Sequence, residues 1–237
     1  LSGAPQVFPS PEVEQQIHAL FLCDPLDAPE QADLRHAVAA ALAIPIRRRL
    51  RVTPALAGRQ IASHKAAAGC GPSGWRNSHI NCVYFDPEGP ATLASRSSLW
   101  AAGTIAPWLA SLWTGATARP IYKNAACYTI RPILQSEALL KFAMGACAKG
   151  CNIQLQEGSG SNQNGSGRAG GAPLESAEVR AAAAERPSWA LLTLDIRNAF
   201  GQVRWTDALN AAAARAPPLC RSFSHDVARR RWHPSLC

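Results

Sequence analysis

The fold class turns on Trp189-Ala190-Leu191-Leu192-Thr193-Leu194-Asp195-Ile196 and on the residues that follow it, Arg197-Asn198-Ala199-Phe200-Gly201-Gln202-Val203. Side chains alternate between the two faces of a strand. On that period Ala190, Leu192, Leu194 and Ile196 form one wholly apolar face, and Trp189, Leu191, Thr193 and Asp195 share the other. The pattern predicts a strand ending in a carboxylate that is desolvated on one side and accessible on the other. Such an acid, followed by a turn and an aromatic five residues on, suits a metal-held nucleotide. The carboxylate of Asp195 and the backbone carbonyl of Ile196 offer hard oxygen ligands to Mg²⁺.

Upstream of this stretch a helix is expected from about Leu174 to Arg186, stopped by Pro187. Residues 157 to 171 form a low-complexity loop rich in Gly, Ser and Asn. Within it, Gly165-Ser-Gly167-Arg-Ala-Gly170 has the spacing of a dinucleotide-binding fingerprint, and Asp195 stands where a ribose-binding acid would. That fingerprint requires a buried strand running straight into the first glycine. The one strand candidate ahead of it is Ile153 to Gln156, separated from Gly165 by polar residues. Further upstream, Pro120-Ile121-Tyr122-Lys123 and Tyr128-Thr129-Ile130-Arg131-Pro132-Ile133-Leu134 are β-prone and predict a hairpin. Pro132, lacking an N–H, belongs on an edge. Ser136 is positioned to cap a helix through Glu137, Leu139, Leu140, Phe142 and Ala143, with Lys141 off the apolar stripe.

Toward the N-terminus, Gly69-Cys70-Gly71-Pro72-Ser73-Gly74-Trp75-Arg76 demands a turn. Helices are expected at Pro11 to Leu22 and Gln31 to Ile44, with a further turn or two at 62 to 68. Thr206 and Asp207 open a last Ala-rich helix that ends before Pro217-Pro218. From Ser97 to Ala118 the chain carries no charge, long enough to span a bilayer. Gly103, Pro107, Gly115 and six hydroxyl side chains instead favour short helices packed on a protein core. The first residue is Leu and the sole methionine is Met144, which reads as an excerpt; no basic-then-apolar leader opens it, and an intracellular protein is expected.

The composition excludes a disordered polymer: 47% of residues are hydrophobic and 17% charged. Lys and Arg number 24 against 16 Asp and Glu, a net charge of +8 that favours a polyanionic partner. Arg47, Arg48, Arg49 and Arg51 concentrate part of it. The eight cysteines are dispersed and do not suggest a disulfide framework. Cys147-x-x-x-Cys151 and Cys70-x8-His79-x-x-Cys82 contain zinc-ligating residue types, but neither has the usual paired spacing, and buried thiols are the simpler expectation.

The stretch Leu194-Asp195-Ile196-Arg197-Asn198-Ala199-Phe200-Gly201-Gln202-Val203 resembles the first palm motif of the reverse transcriptases of non-LTR retrotransposons, Leu-Asp-Ile-x-x-Ala-Phe-x-x-Val. Four further elements occur in that family's order. Gly71-Pro72-Ser73-Gly74-Trp75 is similar to its Gly-Pro-Asp-Gly element, with Ser73 in place of Asp. Lys123 matches a basic residue on a fingers strand. Ile130-Arg131-Pro132-Ile133-Leu134, with Ser136 and Lys141, is similar to its fingers motif. Gln163-Asn-Gly165 with Gly170-Gly171 is similar to the segment ahead of the palm helix. Together they cover about residues 66 to 205.

The resemblance implies a helix-rich, mixed α/β (α+β) fold, a partial right-hand polymerase with fingers plus the first palm strand and helix, truncated thereafter. It implies a basic helical extension at 1–60, a fingers-like region at 61–172 and the start of a palm at 173–217; residues 218–237, with little periodicity, are expected to be a disordered or out-of-frame tail. Lys123 and Arg131 would grip the triphosphate of a deoxynucleotide. Asp195 would hold both Mg²⁺ ions of a two-metal nucleotidyl transfer, with the Ile196 carbonyl as a further ligand, and Phe200 would exclude a 2′-hydroxyl. The expected partners are an RNA template, a DNA primer and deoxynucleotide triphosphates. Two-metal chemistry needs a second carboxylate. The family takes it from Tyr-x-Asp-Asp, which these 237 residues lack. The chain alone is therefore expected not to polymerise DNA. Two alternatives stand beside this reading: a basic nucleic-acid-binding remnant without catalysis, and a dinucleotide-binding enzyme using Gly165, Gly167 and Gly170.

Overall fold

The computed structural model describes residues 10–12, 15, 28–45, 50–65, 68–122, 130–159, 170–194 and 203–220. The described chain is helix-rich, with one two-stranded sheet, in keeping with a mixed α/β class. In order it comprises α1 (Ala28–Leu42), α2 (Pro54–Ala62), α3 (Asn77–Phe85), α4 (Gly89–Ala102), α5 (Pro107–Trp113), β1 (Ala116–Tyr122), β2 (Ile130–Ser136), α6 (Ala138–Gly150), α7 (Asn152–Ser159), α8 (Gly171–Glu185) and α9 (Trp205–Arg215).

The main core lies where α2, α3, α4 and α6 meet. Leu56, Ala57, Ile80, Leu93, Ala94, Ala101, Phe142, Ala146 and Cys147 are buried there together. Ala57, Ala94, Ala101, Ala146 and Cys147 are small residues on these contact faces and let the backbones approach closely. A second cluster joins α4, α5 and α6 around Trp100, whose ring stacks on Trp113 at 5.8 Å and whose indole N–H points at the Met144 sulfur at 3.2 Å. α1 packs on α9 in a separate cluster of Ala37, Ala41, Leu209 and Cys220.

Local signals account for the helix ends. Thr53 caps α2 by accepting the Leu56 N–H at 3.2 Å, and Pro54 fills the first position, where a missing N–H costs nothing. Gly103 ends α4 with φ +66°, a left-handed conformation that admits the Thr104 N–H to the Leu99 carbonyl at 3.0 Å. The uncharged stretch from Ser97 to Ala118 is thereby divided among the end of α4, α5 and the start of β1. Among the described residues no helix is long and apolar enough to cross a membrane.

The expected hairpin forms: β1 and β2 pair antiparallel, with Pro120 opposite Pro132. Neither residue has an N–H, so that rung fits only a non-hydrogen-bonded pair, and the prolines occupy the one register that wastes no ladder bond. The 69–76 turn forms as expected, with Gly74 at φ +78° and its N–H on the Gly71 carbonyl at 3.0 Å. The helices expected from Gln31, Leu174 and Thr206 form as α1, α8 and α9. Most of Pro11 to Leu22 lies outside the described residues.

Four expectations are corrected. Residues 189–194 form no strand: they are irregular and exposed, with Leu192 and Leu194 at 77% and 78% of full exposure. The sole sheet among the described residues is the β1–β2 hairpin, so this segment has no ladder to join. Ile153 to Gln156, the strand candidate of the dinucleotide reading, lies in helix α7. Ser136 closes β2 rather than capping α6; the cap position falls to Glu137, whose side chain is engaged elsewhere. Of the helical turn or two expected at 62–68, only Ala62 is helical, as the last residue of α2; residues 63–65 and 68 are not helical, and 66–67 lie outside the described residues.

Phe142 is a buried centre of the main core, whereas Phe85 is 80% exposed. Phe142→Ala is expected to lower unfolding stability by about 3–5 kcal/mol and Phe85→Ala by less than about 0.5, measurable as paired denaturant midpoints.

Candidate site at the turn, hairpin and helix junction

The β2–α6 junction, Gln135-Ser136-Glu137-Ala138, receives the glycine-rich turn from more than 60 residues earlier. Glu137 is buried, and its carboxylate accepts the Ser73 backbone N–H at 2.7 Å on one oxygen and the Ser73 hydroxyl at 2.5 Å on the other. A buried carboxylate needs such partners, because desolvation without them is costly. Gly71 lies flat on the junction: a Cβ there would stand 2.7 Å from the Glu137 nitrogen and 2.8 Å from the Ser136 carbonyl carbon. Gly69 packs with equal closeness under the Gln135 amide. One turn along α6, the Lys141 ammonium donates to the Gly69 carbonyl at 2.9 Å. On the far side of the turn Asn77 donates from its amide nitrogen to the Lys65 carbonyl at 3.0 Å.

Beyond this dock the turn presents an exposed rim. The Trp75 and His79 rings meet edge-on at 5.9 Å, and His79 Nδ1 accepts the Arg76 N–H at 3.2 Å, which fixes the imidazole against the first turn of α3. His64 lies further along the same side of α6, edge-on to Phe142 at 5.5 Å. Burial, reinforced by the Lys149 and Lys141 charges, holds its imidazole below the usual value.

Two of the motif segments noted in the sequence therefore meet: the Gly71–Trp75 turn and the stretch from Ile130 to Lys141. The individual site residues are placed as follows. Arg131 stands in β2 opposite Ile121, and its side chain lies outside what is described. Lys123, Asp195, Ile196 and Phe200 lie outside the described residues, as do Gly165 and Gly167. Gly170 caps α8 at φ +69°. Asp207, one of the acids downstream of Asp195, pairs with Arg204 at 3.1 Å. Among the described residues no three His, Cys, Asp or Glu side chains gather as a metal site.

The thiols behave as the chemistry of burial requires. Cys147 and Cys151 are buried near the end of α6, and desolvation pushes them up to about 12 and about 11. Both are neutral, small apolar fillers at physiological pH. Cys82 is exposed and Cys70 half-buried, so the expectation of buried thiols holds for the first pair and fails for Cys82.

Sequence reasoning missed the role of Glu137, which it placed at the start of a helix capped by Ser136. No local signal singles it out, because its partner Ser73 lies 64 residues earlier in the chain. Neither a protein-family model, nor a curated protein, nor a solved structure matches the chain.

The dock generates a contrast between two glycines. Gly71→Ala drives a methyl into backbone that cannot give way and is expected to cost about 3 kcal/mol, the upper end of overpacking. Gly74→Ala meets open space and pays for its positive φ alone, about 1 kcal/mol. Thermal melts of the two variants check the order.

Proposed function

We propose that this chain is the fingers and opening palm portion of a reverse transcriptase of the non-LTR retrotransposon type. The observation that supports it most is the docking of Gly71–Trp75 on the Ser136–Lys141 junction through Glu137, Lys141 and Gly71. Two elements that belong together in the resemblance, and are far apart in the chain, share one rigid corner beside the hairpin. A basic chain of net charge +8 suits a template and primer.

In this reading Lys123 and Arg131 hold the triphosphate of a deoxynucleotide, Arg131 by two-pronged hydrogen bonding. The Asp195 carboxylate and Ile196 carbonyl would hold Mg²⁺, which in the complete two-metal arrangement would supply activation of the primer hydroxyl and stabilisation of the leaving pyrophosphate. Phe200 lies against the sugar. One carboxylate suffices for one hard cation and not for two, so these 237 residues bind a nucleotide without joining it to a primer.

The test is nucleotide binding with Mn²⁺ as a paramagnetic probe, run beside primer extension on a poly(A) template. Metal-dependent deoxynucleotide binding is expected, reduced by Arg131→Ala and abolished by Asp195→Asn, with no primer extension by the chain alone. Binding indifferent to Asp195→Asn would leave a basic nucleic-acid-binding remnant. NADH protection of residues 157–171 from protease would favour the dinucleotide reading. Extension abolished by Asp195→Asn would contradict the one-carboxylate limit.

A further inference from the structure

From Ala172 to Leu194 every residue is exposed. Helix α8 buries only its first residue, Gly171, and the chain that leaves it runs on through Trp189, Leu191, Leu192 and Leu194 at 64% to 78% of full exposure. A lone helix of this length is marginal in water unless a face is packed. The hydrogen bonds described here are local: Arg180 Nε donates to the Ser176 carbonyl at 3.2 Å, and the Trp189 N–H to the Arg186 carbonyl at 2.9 Å. The Arg186 guanidinium lies 4.1 Å from the centre of the Trp189 ring and covers one face of it. Four large apolar side chains therefore stand in solvent on one short segment. That concentration marks a contact surface, unlike apolar residues exposed singly.

The backbone of the segment is suited to pairing. Ser188-Trp189-Ala190-Leu191-Leu192-Thr193-Leu194 contains no proline, no glycine and no charge, the composition of a strand that joins another. Residues 189–194 belong to no ladder among the described residues, which leaves them accessible to a strand from another molecule. The β1–β2 hairpin is a poor receiver for it. Backbone groups of a non-hydrogen-bonded rung point to the outer edges of the sheet. The rung of Pro120 and Pro132 therefore removes an N–H from the middle of each edge, a known protection against a further strand. Residues 188–194 carry no such protection. Because they carry no charge either, two copies lie side by side with no like charges opposed, although each whole chain is at +8.

We propose that residues 188–194 are a self-association strand, through which two copies of this chain pair antiparallel across a two-fold axis at Leu191. An isologous contact between antiparallel strands requires one residue to face its own counterpart. Leu191 is the middle of the seven, and it is the choice that pairs them all. Trp189 then stands opposite Thr193 of the second copy, an aromatic and β-branched pair made twice, with Leu191 against Leu191 between them. Ala190, Leu192 and Leu194 share the other face of the ribbon. A tryptophan presents roughly 200 Å² and a leucine roughly 100 Å². With the paired backbone, the two copies together bury on the order of 1,000 Å², the lower bound of a specific interface. The dimer is accordingly weak and concentration-dependent, and it does not rest on the proposed function.

The experiment is sedimentation equilibrium of the full chain over a wide concentration range, with hydrogen exchange on the same samples. The unaltered chain is expected to pass from monomer to dimer, and amides within 188–194 to exchange more slowly as the dimer forms. Leu191→Lys, at an exposed position away from the cores, sets two ammonium groups against each other on the axis and is expected to weaken the dimer by about tenfold or more. Leu191→Glu is expected to do the same. An equimolar mixture of these two variants opposes Lys to Glu and is expected to recover the dimer. Phe85→Lys, which removes an equally exposed apolar side chain from α3, should leave association unchanged. A chain that stays monomeric throughout overturns the proposal, as does a dimer indifferent to Leu191→Lys. Failure of the mixed variants to recover overturns the two-fold pairing, and open-ended growth past the dimer overturns the closed contact. Nucleotide binding tests the proposed function separately and is independent of every one of these outcomes.

Discussion

Everything at the junction depends on one buried carboxylate. Glu137 stands where β2 gives way to α6, and instead of capping its own helix it takes both donors of Ser73. A carboxylate near a helix N-terminus is favoured by the partial positive charge there. Two charge-assisted hydrogen bonds then offset the rest of its desolvation. Because the donors come from a turn more than 60 residues away, satisfying this one charge also closes a long loop of the chain. Gly71 makes the closure tight, and Lys141 ties the other end of the turn by its carbonyl.

The surrounding helices are built to let this happen. Alanine and glycine on the facing surfaces of α2, α4 and α6 bring backbones close, so the turn, the hairpin and α6 share one wall rather than meeting through long side chains. Gly145 admits Gln60 against α6, and Gly58 faces the Tyr84 ring. The same closeness has an electrostatic result. It brings Lys141 and Lys149 of α6 against the segment that follows α2, with His64 between their anchors.

Much of this architecture was legible in residue order. The hairpin followed from β-branched and aromatic runs, and its prolines fell opposite each other. The turn at 69–76 followed from three glycines and a proline, and α1, α8 and α9 from alanine-rich periodicity. Helix α2 was not recognised, although Thr53-Pro54 is a start signal with a clear mechanism. The strand expected at 189–196 shows where pattern alone fails: alternation specifies which face a strand would bury, but a strand exists only where another strand pairs with it. Leu192 and Leu194 have no such neighbour among the described residues and stand in solvent. The role of Glu137 was illegible for a different reason. Its partner is distant in sequence, and no local rule couples position 73 to position 137.

The central claim is that Glu137 and Ser73 act as one unit that docks the turn on α6. A double-mutant cycle of Ser73→Ala and Glu137→Ala, read by denaturant unfolding, measures that coupling. The account predicts a coupling energy of at least about 1 kcal/mol, as expected for a charge-assisted pair in direct contact. Strict additivity of the two substitutions would show that the turn is held by packing alone and would contradict it.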